Sequence, residues 1–464
     1  MEKDKGKMSE MKGMIGLEIH CYPITKEKLF CKCKASRERG LQGNTQICPI
    51  CCGQPGAKPM LPNKEAVRKA VQIGLMLGCK INSALKWQRK HYDWPDMPKG
   101  YQNTISGEHA IPVGVKGNFS GVEIWSMHLE EDPASWEPET GEVDYNRSGL
   151  PLIEIITAPD FTSAQDVMSW LKKLVRHLGY LKAIDPNAGI KADVNVNISG
   201  KTERVEIKNI SSIEDIGKAI EVELKRHESL IHEGKRGEKE TRRFDAGEGK
   251  TVRMRGKEEA EDYRFISDPD LVEISLDSKW IKEIEDGLPE SPEEKLGKFI
   301  KKHKIDKKNA EILAKNIDVA EFFEEVVKKI DAGFALPWVT VELLRVLNYN
   351  KKKLDEVEIK AEDFVSLLKL IKDKKITELQ GKQLLNNFYP KSFDPSKGLK
   401  EKIDDEKELE KIIVQILKNN SKVVESYKKG EKQALNYLMG EVMKKTERRA
   451  DFAAARKVLE KLLK

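Results

Sequence analysis

The sequence predicts an α+β protein in which an antiparallel sheet is followed by helices alone. The 464 residues are too many for one ordinary core, so we expect several domains. Between about residues 14 and 290, short segments alternate apolar and polar residues, as strands do. From Ser291 the strand patterns give way to helical ones with lysine-rich outer faces. These helices form one domain over 291–398 and, after a linker at 394–398, a small tail over 405–464.

The first strand, within 14–25, contains the segment Gly16-Leu17-Glu18-Ile19-His20. Alternation places Leu17 and Ile19 on a buried face and Glu18 with His20 on the opposite face. Two interpretations stay open at this point. The polar face is either simply solvated, or it holds a metal or handles protons.

All seven cysteines lie in the first 79 residues, which is not the distribution of a disulfide framework. Two close pairs, Cys31-x-Cys33 and Cys48-x-x-Cys51, predict a closed tetrahedral zinc knuckle over 31–51 that serves stability. A degenerate knuckle or buried free thiols are the alternatives. Cys52 is a possible decoy ligand beside Cys51.

The middle of the predicted sheet region alternates strands and helices. A helix is expected from Asn63 to Leu77, and strands over 109–132 end in three consecutive acids that hold a cation or face solvent. The polar, aromatic and proline-rich loop at 89–102 is suggestive of phosphate or base contacts. Ser163 begins the next helix.

Two later strands carry polar residues on one face each. Asp193, Asn195 and Asn197 alternate with apolar residues, as do Glu206 and Lys208. A helix over 212–233 follows, and then basic strand-like pieces lead out of the domain.

Charge is unevenly distributed along the chain. The segment 411–464 has 14 Lys or Arg against 6 Asp or Glu, so its charge of +8 exceeds the +6 of the whole chain. This favours a polyanionic partner at the tail, although a solvated helical surface explains it equally well. The chain lacks a membrane-length apolar run and the opening residues lack a signal-peptide pattern, so we expect a cytoplasmic protein without a membrane partner.

Several catalytic motifs are missing from the sequence. Gly249-Lys250-Thr251 resembles the end of a Walker A loop, but Phe244 stands where the first glycine belongs. Neither a dinucleotide-binding glycine pattern nor a serine-nucleophile elbow is found. An enzyme of this composition would use carboxylates, cations and basic residues, as in phosphoryl transfer without a P-loop.

The chain resembles the B-subunit family of tRNA-dependent amidotransferases over nearly its whole length. The motifs that carry this resemblance, besides the cysteine pairs, are Gly16-Leu17-Glu18-Ile19-His20, Pro59-x-Leu61, Arg89-Lys90-His91-Tyr92, Pro95-Asp96-Met97-Pro98-Lys99-Gly100-Tyr101-Gln102, His128-Leu129-Glu130-Glu131-Asp132, Asp144-Tyr145-Asn146-Arg147-x-Gly149-x-Pro151-Leu152, Glu206-Ile207-Lys208-Asn209, Arg255-x-Lys257-Glu258 and Asp262-Tyr263-Arg264.

The resemblance implies an ATP-dependent ligase that repairs mischarged Glu-tRNA(Gln) or Asp-tRNA(Asn). It implies a glutamine-synthetase-like cradle domain over 14–290, an intermediate helical domain and a tRNA-binding tail. It also implies Mg²⁺, Zn²⁺ and ATP, with ammonia supplied by an amidase A subunit in a complex that includes a small C subunit.

The resemblance also implies site residues. The expected catalytic residues and Mg²⁺ ligands are Glu18, His20, Glu131, Asp193 and Glu206. Because alternation separates Glu130 from Glu131, only one of them can reach the metal, and the resemblance favours Glu131. The expected ATP and substrate contacts are Lys90, Tyr92, Lys99, Asp144, Arg147, Lys208, Arg255 and Lys257.

Two alternatives compete with this interpretation. The E subunit of the archaeal Glu-tRNA(Gln)-specific enzyme shares the cradle and tail but carries an inserted domain. The roughly 20 residues between Leu271 and the helical region leave no room for such a domain. A non-catalytic zinc-containing tRNA-binding protein would not need acidic faces on three separate strands.

Overall fold

A computed structural model describes residues 12–37, 40–185, 189–256, 264–397, 403, 405–431 and 433–463, without the side chains of Asn209 and Arg255. The chain divides into two compact units, Met1–Glu290 and Ser291–Lys464. Strands lie in the first unit, and the described part of the second is helical. This agrees with the predicted α+β class.

The first unit contains sixteen strands and four helices in its described residues. Its strands are β1 (Gly13–Cys21), β2 (Lys80–Ile81), β3 (Ala84–Leu85), β4 (Gln88–His91), β5 (Tyr101–Thr104), β6 (Gly114–Phe119), β7 (Val122–Glu131), β8 (Ser135–Trp136), β9 (Val143–Asp144), β10 (Pro151–Thr157), β11 (Lys191–Ile198), β12 (Val205–Ile210), β13 (Glu240–Asp245), β14 (Lys250–Gly256), β15 (Arg264–Ser267) and β16 (Ile274–Ser275). Its helices are α1 (Lys64–Met76), α2 (Ala164–Leu181), α3 (Ile213–His232) and α4 (Ser278–Asp286).

Twelve strands form one sheet in the order β14-β13-β12-β11-β1-β10-β7-β5-β4-β15, with β6 also on β7 and β2 on β6. Among the described pairings of this sheet, only β12 with β13 is parallel. The sheet is therefore mixed, and the expectation of an antiparallel sheet holds except for that pair. Strand β1 lies near its middle, between β11 and β10.

One face of the sheet forms the core of this unit. Leu17 and Ile19 are buried in a single cluster with residues of α1, α2 and α3, which include Val71, Leu171 and Ile220. Alternation then leaves the opposite face of β1 for Glu18 and His20. The helices cover the apolar face, and the polar face carries the candidate site.

Helix starts follow from the local sequence. Asn63 caps α1 by accepting hydrogen bonds from the backbone N–H groups of Glu65 and Ala66. Ser163 caps α2 through the N–H of Asp166. The predicted helices at 63–77 and from Ser163 are confirmed.

The second unit is built from helices. They are α5 (Pro292–His303), α6 (Lys307–Leu313), α7 (Ile317–Val327), α8 (Ala332–Pro337), a π-helical turn (Trp338–Leu343), α9 (Leu344–Tyr349), a 3-10 turn (Leu354–Glu356), α10 (Ala361–Lys372), α11 (Glu378–Asn386), α12 (Glu406–Asn419), α13 (Ser421–Lys428), α14 (Gln433–Lys445) and α15 (Phe452–Leu463). Two separate hydrophobic clusters, spanning 299–388 and 403–463, lie on either side of the predicted linker. Within the described residues, no helix is long and apolar enough to cross a membrane.

Candidate active site and metal centre

The register of the central strands assembles a polar face around β1. Glu18 lies opposite Asp193 on β11, and His20 lies opposite Glu154 on β10. Glu154 in turn lies opposite His128 on β7. Residues directly opposite each other in antiparallel strands share a face. Polar residues from four segments of the chain therefore meet on one side of the sheet.

Three carboxylates form a tight cluster on this face. One carboxylate oxygen from each of Glu18, Asp193 and Glu206 lies within 4.8 Å of the others. Burial, followed by the negative charge of Glu154, raises the pKa of Glu18. Carboxylate oxygens are the ligands that Mg²⁺ prefers, and the crowding of negative charge favours a cation here. The structure thus brings together three of the five predicted Mg²⁺ ligands.

Lys208 supplies a positive charge to this carboxylate cluster. Its Nζ lies 2.7 Å from Asp193 Oδ2 and 2.9 Å from Glu206 Oε1. Burial opposes the charge on Lys208, but Asp193 and Glu206 outweigh it and raise the pKa of the lysine. An amide and a hydroxyl group also contact the cluster. Asn195 Nδ2 donates to Glu18 Oε1 at 3.0 Å, and Thr241 Oγ1 donates to Glu206 Oε2 at 3.2 Å.

A second group beside the cluster joins two histidines through one carboxylate. Glu154 Oε1 lies 3.5 Å from His20 Nε2, and Glu154 Oε2 lies 3.2 Å from His128 Nδ1. Burial opposes the charge on His20, but the hydrogen bond and charge of Glu154 raise its pKa to about 9. Burial also disfavours ionised Glu154, yet hydrogen bonds from His128 and His20 hold its pKa well below the usual value. His20 is therefore an imidazolium paired with Glu154, outside the three-carboxylate cluster.

The two adjacent glutamates at the end of β7 occupy different environments. Glu130 lies opposite Thr104 on β5 and, two residues from His128, shares the polar face. Burial and the charge of Glu154 raise the pKa of Glu130 to about 7, against the opposing charges of Lys90 and His20.

Glu131 lies away from that face. Its Oε1 accepts the backbone N–H of Asn103 at 2.9 Å and forms a short ion pair with Lys99. The structure therefore does not bring Glu131 together with Glu18, and Glu130 rather than Glu131 lies on the polar face. The physical reason is the register between β7 and β10, which alternation within β7 alone cannot reveal.

The predicted ATP and substrate contacts fall into three groups. The first group lies on the polar face: Lys90 shares the face of Glu130, and Lys208 lies in the carboxylate cluster. The Nζ of Lys90 is 5.8 Å from the centre of the Tyr92 ring. Lys99, Asp144 and Arg147 are held elsewhere: Lys99 binds Glu131, Asp144 accepts the backbone N–H of Asn44, and Arg147 donates to the carbonyls of Pro133 and Ala134. The Arg255 backbone pairs with Thr241, while Lys257 lies outside the described residues.

The four predicted zinc ligands converge in the first unit. The sulfurs of Cys31, Cys33, Cys48 and Cys51 lie within 4.8 Å of one another. Cys51 Sγ is 3.9 Å from Cys48 Sγ and 4.0 Å from Cys33 Sγ. Zn–S bonds of about 2.3 Å in a tetrahedron place sulfurs about 3.8 Å apart. The cysteine centre therefore has the donors and the spacing that a structural zinc ion requires.

Glu154 and His128 were not assigned roles from the sequence. Glu154 is the only charged residue within β10, Pro-Leu-Ile-Glu-Ile-Ile-Thr, and a lone acid inside an apolar strand was a usable signal. A role for His128 was harder to predict, because its partner Glu154 lies 26 residues away in sequence and only the strand register brings the two together.

Fold and site together define an α+β protein with a buried carboxylate cluster suited to a cation and a separate four-cysteine centre. The chain belongs to the GatB/GatE family, since the family model described as the GatB/GatE catalytic domain matches residues 13–282. A second model, described as the GatB domain, matches residues 321–463. The family-level resemblance inferred from the motifs is confirmed.

Similar proteins extend this match over the whole chain. A protein from Methanocaldococcus jannaschii, named as the B subunit of aspartyl/glutamyl-tRNA(Asn/Gln) amidotransferase, is 43% identical over 463 residues, covering 96% of this chain and 97% of the relative. Proteins of the same name from Methanococcus maripaludis strain C6 and Methanobrevibacter smithii are each 40% identical. Their alignments cover 96% of this chain and 97% and 99% of those proteins.

Proposed function

We propose that this chain is the B subunit of a tRNA-dependent amidotransferase. It converts the side-chain carboxylate of mischarged Glu-tRNA(Gln), Asp-tRNA(Asn) or both into an amide at the expense of ATP. Full-length similarity to proteins named as this subunit supports the assignment. The observation that carries the chemistry is the cluster of the half-buried Glu18 and the buried Asp193 and Glu206, with Lys208, on one sheet face.

The proposed reaction has two steps. A side-chain carboxylate oxygen of the aminoacyl group attacks the γ-phosphorus of ATP, ADP leaves, and an acyl phosphate forms. Ammonia then attacks the carbonyl carbon, phosphate leaves with the former carboxylate oxygen, and the amide remains. Both steps concentrate negative charge, so their catalysis depends mainly on positioned cations.

The residues of the polar face have distinct proposed roles. Glu18, Asp193 and Glu206 would hold Mg²⁺, which supplies charge neutralisation to the phosphates. Lys208 and Lys90 would bind anionic oxygens of ATP or of the acyl phosphate. Glu130, whose pKa is about 7, would accept the proton that ammonium must lose before it can attack. Glu154 would hold the rings of His20 and His128 in place.

The remaining parts of the chain support this site in the proposal. The sheet of the first unit would be the glutamine-synthetase-like cradle, and zinc at the cysteine centre would brace it. The domain at 291–398 would connect this cradle to the tail at 405–464, which would bind tRNA through its excess positive charge. An amidase A subunit would release ammonia from glutamine, with a small C subunit completing the complex.

The first family model is described by both the B and the E subunit, so it does not separate this proposal from the alternative of an archaeal E subunit. The names of the full-length relatives favour the B subunit. The alternative of a non-catalytic zinc-containing tRNA-binding protein leaves the carboxylate cluster without a purpose, because it is costly to bring three acids together with two of them buried.

Glu18→Ala tests the proposal most simply. In the complex with its amidase partner, the variant should bind Glu-tRNA with unchanged affinity, while phosphate release that depends on Glu-tRNA falls about 100-fold or more. Glu123→Ala, at an exposed position of β7, is the matched control and should behave as the wild type. Unchanged phosphate release in Glu18→Ala would refute the kinase role of this face.

A further inference from the structure

Lys28 is a buried cation beside the four-cysteine centre. Only 1% of its surface is exposed, and its Nζ donates to Cys51 Sγ at 3.5 Å and to the carbonyl oxygen of Tyr145 at 3.1 Å. Within the described ranges, no carboxylate forms an ion pair with this ammonium. A buried charge of this kind requires negative charge from another source.

The cysteine centre can supply that negative charge. Four thiolates around one divalent metal ion carry a net charge of −2, whereas four neutral thiols carry none. The Lys28 ammonium contacts the sulfur of Cys51, which is one of the four sulfurs that converge. Groups that donate hydrogen bonds to metal-bound ligands commonly change metal affinity by roughly 10–100-fold.

Lys28 also connects the centre to the neighbouring loop at 144–149. Besides the Lys28 bond to Tyr145, Ser148 Oγ donates to the Cys51 carbonyl oxygen at 2.7 Å, and Leu29 N donates to the Gly149 carbonyl oxygen at 2.8 Å. The loop contains Arg147 and leads into β10.

The knuckle side of this contact is equally specific. The backbone N–H groups of Thr45 and Gln46 donate to Asn146 Oδ1 at 2.9 and 2.7 Å. A side chain on Gly149, whose φ is +79°, would approach Cys51 Cβ at 3.5 Å. The loop is therefore fitted against the knuckle through side chains, backbone groups and close packing.

We propose that Lys28 is a positioning residue that compensates the charge of a metal–thiolate centre and fastens the 144–149 loop to it. This ammonium then links metal binding at the cysteines to order in the loop, together with the bonds that Ser148 and Asn146 make to the knuckle. The inference goes beyond the amidation proposed above and does not depend on it, because it is tested without tRNA or ATP.

The first experiment measures zinc retention in the purified full chain. Lys28→Met, which keeps an unbranched side chain one atom shorter and removes the charge, should lose zinc to a colorimetric chelator about 10–100-fold faster than the wild type. Lys28→Arg should lie closer to the wild type because it retains the charge. Lys69→Met is the matched control, since Lys69 is also buried in this unit but donates to the Lys182 carbonyl instead.

The second experiment needs no variant and remains informative if Lys28→Met does not fold. Chelation of zinc from the wild type should increase hydrogen exchange at amides of 144–149 and make Lys28 reactive towards an amine-modifying reagent, both read by mass spectrometry. Wild-type zinc retention in folded Lys28→Met would overturn the charge role of Lys28. Equal exchange and equal Lys28 reactivity with and without zinc would overturn the link to the loop.

Discussion

Replacing Glu154 by glutamine should lower the pKa of His20 while nearly preserving the size and shape of the side chain at position 154. The wild-type pKa of His20 is about 9, because Glu154 outweighs the effect of burial. Relative to an ordinary histidine near 6.5, this difference in pKa corresponds to about 3 kcal/mol. Without the carboxylate, burial opposes the charge on His20 and only the smaller effects of the Asp193 and Glu130 charges favour it, so the pKa of His20 in Glu154→Gln should fall well below 9.

The sign of this linkage defines the pH window. Since the folded-state pKa of His20 is raised, its pairing with Glu154 stabilises the fold fully below about pH 6.5 and is lost as the pH rises through about 9. Nuclear magnetic resonance of histidine rings labelled at Cε1, assigned with His20→Gln, reads the titration directly. Glu123→Gln serves as the control. An unchanged His20 midpoint in Glu154→Gln would refute the assigned pairing.

Three further predictions concern stability and tRNA binding. Burial opposes ionisation of Glu223, but hydrogen bonds from His227, Arg226 and Thr251 lower its pKa to about 2. Glu223→Gln should therefore lower the free energy of unfolding, measured with urea at neutral pH, by about 3 kcal/mol. The difference between variant and wild type should disappear as the pH falls from about 4.5 to about 2. Gly53→Ala should lower the melting temperature more than Gly56→Ala. Both glycines have positive φ, but only at Gly53 would the new Cβ overlap a backbone group, the carbonyl oxygen of Pro98. Equal melting temperatures would contradict this. Deleting 405–464 should weaken tRNA binding and flatten its salt dependence, and an unaltered slope in filter-binding titrations would exclude the tail as the main electrostatic contact.

Local patterns made part of the site predictable. Glu18 and His20 share a face because strand side chains alternate, and the Cys31–Cys51 segment contains all four sulfurs at a spacing typical of zinc ligands. The tail helices were predictable for the same reason, since their apolar periodicity lies within single segments. Each of these features depends on residues that are close in sequence.

Features that depend on pairing between distant strands were not predictable. Glu154 joins His20 to His128 only because β10 lies between β1 and β7 in one register. The same register decides between Glu130 and Glu131, because a shift by one residue would exchange their faces.

The positions of predicted basic contacts show the same limit. Lys99 and Arg147 have residue types that bind phosphate, yet Lys99 pairs with Glu131, while Arg147 donates to backbone carbonyls. Composition identifies a residue that can bind an anion, but only the folded chain shows whether another group already occupies it.

The fate of one oxygen atom tests the central claim most directly. The complex is supplied with ATP, glutamine and Glu-tRNA whose side-chain carboxylate carries ¹⁸O, and the released phosphate is examined by mass spectrometry. If the carboxylate attacks ATP and ammonia later displaces phosphate, each phosphate released with amide formation carries one oxygen from the carboxylate. Phosphate without the label, at an equal yield of amide, would contradict an acyl phosphate at this site.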